Sequence, residues 1–147
     1  MKLFFFFCLF TSSAFACPNF SGEYFNEQFG TYYSISQEDC SIVNYIYDEG
    51  TISFPIDGKE YITSDYDVVV EEGKVLAHIT TLAKKQFKGK FLVTSERSIT
   101  KYSSDGREEE ESAIEEAYLN RVNDLVKVSH GKNGKEISID KRVNRHK

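Results

Sequence analysis

Tryptophan is absent from this chain, proline occurs twice, methionine once and histidine three times. So few prolines, with no Ser/Gly-rich stretch, exclude an extended linker and point to a single domain. No apolar run approaches the roughly 20 residues a membrane-spanning helix needs. His78, His130 and His146 stand far apart, without the spacing of a zinc site, and neither zinc nor any other metal or cofactor is expected. Hydrolase, metalloprotease, phosphate-loop and dithiol motifs (G-x-S-x-G, H-E-x-x-H, G-x-x-x-x-G-K-[ST], C-x-x-C) are all missing, so no catalytic residue is assigned and a non-enzyme is expected. The formal net charge of −5 argues against nucleic acid as a partner.

What is present begins with an export signal. Lys2 supplies a positive start, Leu3 to Phe10 (LFFFFCLF) an apolar stretch, and Ala14-Phe15-Ala16 a small-residue cleavage pattern. Residues 1–16 are therefore expected to be removed, leaving 17–147 as one exported domain, periplasmic or secreted. Cleavage also removes Cys8, leaving Cys17 and Cys40, which are expected to pair in an oxidising compartment. A lipid on Cys17, as in outer-membrane lipoproteins, competes for the same sulfur. Ala14 and Phe15 stand where such signals usually carry Leu and a small or aliphatic residue.

Charge divides the mature chain. Cys17 to Ala83 holds two basic and twelve acidic residues, and Lys84 to Lys147 fifteen basic and eleven acidic. The basic residues are interspersed, which suits solvated strand faces better than a docking stripe.

From Phe20 onward, runs rich in Tyr, Ile, Val and Thr alternate with turn dipeptides such as Asp57-Gly58, Asp105-Gly106 and Asn133-Gly134. About ten strands in this length predict an all-β antiparallel meander, closed into a small barrel of about 8–10 strands. Pro55 assigns its run to an edge or a bulge. Ile137 and Ile139 alternate with Ser138 and Asp140, reading as a strand with the isoleucines inward. Glu108 to Glu111 reads as a solvated acidic edge that discourages strand pairing. Residues 107–121 (REEEESAIEEAYLNR) have helix-forming composition, yet the turns on either side favour a strand; a short helix packed on the barrel is the competing reading.

Gly22-Glu23-Tyr24 near the mature start, with a meander ending in Lys141-Arg142-Val143, resembles the lipocalin-like and fatty-acid-binding-like (calycin) barrels. Those families open with Gly-x-Trp and set an arginine from the last strand over the ring. Here Tyr24 replaces the tryptophan. The resemblance implies barrel closure by Gly22, Tyr24 and Arg142, a monomer, and an interior for one small lipophilic ligand. Tyr45, Tyr47, Tyr61, His78 and Tyr102 are the candidate lining residues. The alternatives are a filled barrel, in which these aromatics are packing, and an envelope or secreted interaction protein that works through a charged surface.

Overall fold

The computed structural model describes residues 17–70 and 73–143; residues 1–16, where an export signal is expected, residues 71–72 and residues 144–147 lie outside the described residues. Ten strands follow one another, and among the described residues there is almost no helix. They are β1 (Gly22–Asn26), β2 (Thr31–Glu38), β3 (Ile42–Tyr47), β4 (Gly50–Pro55) and β5 (Tyr61–Val69), followed by β6 (Val75–Lys88), β7 (Phe91–Tyr102), β8 (Glu108–Leu119), β9 (Leu125–Gly131) and β10 (Gly134–Val143).

All pairings are antiparallel, in the order β4-β3-β2-β1-β10-β9-β8-β7-β6-β5. The sheet is a strongly curled half-barrel, compatible with a calycin-like fold. Its edges are β4, where Pro55 ends the strand, and β5. These two do not pair with each other, so the closed barrel expected from the hairpin cues is met by curling rather than by a complete ring of strands.

Within residues 107–121, Glu108–Leu119 forms a strand, as the flanking turns favour. β8 runs between β7 and β9, so it is an inner strand and not the acidic edge expected from Glu108 to Glu111. Two devices make those glutamates tolerable there. The strand overhangs the core, leaving all four exposed, and cations meet them: Lys101 lies 3.3 Å from Glu108, Arg107 3.0 Å from Glu109, Arg97 3.5 Å from Glu110 and Lys132 2.9 Å from Glu111. Helix propensity amounts to a few tenths of a kcal/mol per residue, and a full ladder of sheet hydrogen bonds overrides it.

The core lies at one end of the concave face. Phe20, Tyr24, Tyr33, Ile35, Val43, Leu92 and Leu125 are buried together, with Tyr45, Phe54, Phe87 and Leu119 packed against them. Aromatic rings do much of the filling: Tyr33 stacks on Tyr24 at 5.7 Å and on Tyr47 at 5.6 Å, and Tyr45 meets Phe54 edge-on at 5.9 Å. Cys17 and Cys40 form a disulfide with their Cα atoms 5.7 Å apart, tying the start of the domain to the β2–β3 turn. In the chain-entropy account, a loop of this separation stabilises the fold by about 3 kcal/mol.

The last strand reverses its expected facing. Ile137 is 61% and Ile139 44% exposed, whereas Asp140 is 1% exposed. Strand alternation has period two, so a choice of face for one residue fixes all the others. The choice is made by Asp140, which finds three polar partners inside, and by Arg142, which finds the Tyr24 ring.

Candidate functional site

The side chains that share a face with the core form rows across the sheet, because paired residues on neighbouring strands point the same way. One row is apolar at its centre: Phe87 lies opposite Leu92, and Leu92 opposite Ala117. One step further along the strands, the next row is polar throughout. Lys85 lies opposite Thr94, Thr94 opposite Glu115, Glu115 opposite Ser129, and Ser129 opposite Glu136. The face thus changes from a filled aromatic base to a polar floor within two residues of each strand.

Two hollows open above that floor. One of about 250 Å³ is lined by Lys85, Thr94, Glu96, Glu115 and Ser129, among others. The other, about 270 Å³, shares Glu96, Ala113 and Ser129 with it and extends to Glu111, Lys132 and Glu136.

Lys85 is the unusual member. It is 8% exposed, and its ammonium donates to Thr94 Oγ1 at 2.7 Å. It sits 4.8 Å from the Phe54 ring centre and 5.7 Å from that of Tyr45. No carboxylate among the described residues lies within ion-pair distance of it. Burial holds its pKa below the ordinary 10.5, opposed by the more distant Glu115 and Glu96. Glu96, Glu115 and Glu136 likewise form no ion pair among the described residues.

A second buried charge has the opposite character. Asp140 accepts from Asn26 Nδ2 at 2.8 Å and from the Tyr33 hydroxyl, and it pairs with Lys127 Nζ at 2.6 Å. Lys127 also lies 5.3 Å from the Tyr33 ring centre. Burial, followed by the bond to Asp140, drives the Tyr33 phenol well above its usual range. This cluster is complete in itself and joins β1, β2, β9 and β10.

The residues named from the sequence are placed as follows. Tyr24 and Arg142 are opposite one another on β1 and β10. The guanidinium lies 6.0 Å from the Tyr24 ring centre and donates to the Ser21 carbonyl at 2.9 Å. A Cβ on Gly22 would sit 3.0 Å from that guanidinium, so the glycine leaves room for its approach. The Tyr24 hydroxyl donates to the Phe20 carbonyl at 2.8 Å. Tyr45 and Tyr47 belong to the aromatic base, where Tyr47 also lines a recess of about 90 Å³ with Tyr24 and Tyr33.

Tyr61, His78 and Tyr102 are not brought to that base or to the hollows. Tyr61 is exposed and donates to Asp57 Oδ2 at 2.7 Å. Tyr102 donates to Glu109 Oε2 at 3.0 Å, with Arg107 4.6 Å from its ring centre. His78 faces solvent, with Nδ1 2.8 Å from Asp67 and Nε2 2.9 Å from Asp65. The bond to Asp67, aided by the charges of both aspartates, raises its pKa.

Sequence reasoning missed Lys85, Thr94, Glu115, Lys127 and Asp140. The signal available for Lys85 was Phe87, two residues away and therefore on the same face of a strand. No family model matches the chain, and neither a curated protein nor a solved structure matches it.

Proposed function

We propose that this chain is an exported, non-enzymatic, lipocalin-like binding protein that holds one small ligand above the polar floor of its half-barrel. One observation carries the reading: Lys85, buried, and Glu115, half-buried, line a hollow in which neither has an ion-pair partner among the described residues. Buried or half-buried charges are ordinarily paired, and a ligand would supply what these lack. The aromatic base is filled by its own rings, so the ligand is a small polar molecule, not the lipophilic one that the family resemblance implies. The disulfide fits an oxidising compartment, and no helix among the described residues is long and apolar enough to cross a membrane.

The test is a native mass spectrum of the protein recovered from its own host. A small-molecule mass that disappears on denaturation, and is lost in Ala113→Trp, would support the reading, because Ala113 lines both hollows. A bare mass would favour the second reading, an interaction protein working through its surface. That reading draws on the exposed apolar residues Ile114, Ile137 and Ile139 of β8 and β10.

A further inference from the structure

We propose that the Lys85 amine is a nucleophile that captures a small aldehyde as a reversible imine in the hollow above the polar floor. The inference deepens the binding reading just given and rests on it. A lysine reacts with a carbonyl only as the neutral amine, and surface lysines at neutral pH are almost entirely charged. Lys85 departs from them in three ways that geometry supplies. It is withdrawn from water, at 8% exposure. It has no carboxylate within ion-pair distance among the described residues to hold the proton. Its nitrogen is fixed by Thr94 Oγ1 at 2.7 Å while the side chain borders a hollow of about 250 Å³, room for a few heavy atoms. Burial shifting a lysine toward its neutral form is the usual origin of imine-forming lysines.

The step balances without an oxidant or a reductant. The nitrogen lone pair attacks the carbonyl carbon, the C=O electron pair moves to oxygen, and one N–H proton follows it to give a carbinolamine. The C–O bond then breaks as the nitrogen forms C=N, and the second N–H proton leaves with the oxygen as water. Glu96 and Glu115 border the same hollow, and a water between either of them and the nitrogen would relay these protons.

The experiment uses the full, disulfide-bonded protein with acetaldehyde and sodium cyanoborohydride, which reduces any imine to a stable ethylamine that peptide mapping can locate. At pH 7, Lys85 is expected to label about tenfold faster than the exposed Lys59 and Lys88, as an amine that gives up its proton more readily than theirs should. As pH rises, the rate of Lys85 should level off at a lower pH than the rates of Lys59 and Lys88. In denaturant the advantage should vanish, and Ala113→Trp should remove it in the folded protein. Labelling of Lys85 no faster than that of Lys59 would overturn the proposal. Slow labelling that slows further in acetate would overturn it too, by assigning Lys85 to anion binding. If Lys85 is slow while a native-mass ligand is still lost in Ala113→Trp, the imine fails and the binding hollow stands. If Ala113→Trp leaves fast labelling unchanged, both fail.

Discussion

Asp140 and Lys85 are both buried charges on the same face of one sheet, and they are supported very differently. Asp140 has an amide, a phenol and an ammonium around one carboxylate; Lys85 has one hydroxyl and the faces of two rings, but no counter-charge among the described residues. Removing a charge from water costs several kcal/mol, and only a full set of partners offsets it. The satisfied charge therefore belongs to the architecture, fixing which face of β10 turns inward. The half-satisfied one marks where the molecule has something left to bind.

The sharpest way to break this contrast is to remove Asp140. Asp140→Ala strands Lys127 without its counter-charge, and chemical denaturation should show a loss of about 3–5 kcal/mol, the range for breaking a buried pair. Next comes the disulfide: Cys40→Ser should lower stability by about 2–5 kcal/mol in the same assay, without disturbing the Asp140 cluster.

Lys85→Met should move the other way, neutral or stabilising by about 1 kcal/mol near pH 7, because an uncompensated cation gives way to apolar bulk. The sign follows from its lowered pKa. Between the folded value and 10.5 the unfolded chain holds more protons, so the native protein gains stability as pH rises through that window. The advantage of Lys85→Met should shrink across that window and be gone above it. A mutant that is clearly destabilised at pH 7 would place Lys85 in the architecture with Asp140.

The smallest effect concerns His78. Its raised pKa means that the stability it adds is fully present below pH 6.5 and fades as pH rises through its folded-state value. A shallow decline in Tm over that range should shrink in Asp67→Asn and disappear when Asp65→Asn is added, and NMR titration of the ring should show the shift directly.

Much of the strand order was legible because turns and hydrophobic alternation are local. The run around Pro55 is indeed an edge strand, and residues 107–121 follow their turns over their composition. β5 carries register shifts between Ile62 and Ser64 and between Val68 and Val69, which local alternation does not announce. Facing was harder. Ile137 and Ile139 are the apolar members of their strand and point outward, since Asn26, Tyr33 and Lys127, which hold Asp140 inward, come from distant parts of the sequence. The polar floor was hidden for the same reason. Lys85, Thr94, Glu115, Ser129 and Glu136 become a row only once four pairings have set their registers.

The pairing of β1 with β10 has a consequence for the order in which the chain is written. Every other pairing joins strands adjacent in sequence, while β1–β10 joins Glu23 to Val143. That single closure carries most of the loop entropy of folding and should set the folding rate. It also brings the two ends of the domain side by side, while β4 and β5, the sheet's edges, are consecutive yet unpaired. A circular permutant cut in the β4–β5 connection, with a short linker joining the old ends, would run through the sheet in strict spatial order, from one edge to the other. The one long-range pairing would become a hairpin like the rest, and the permuted protein should fold faster into the same sheet.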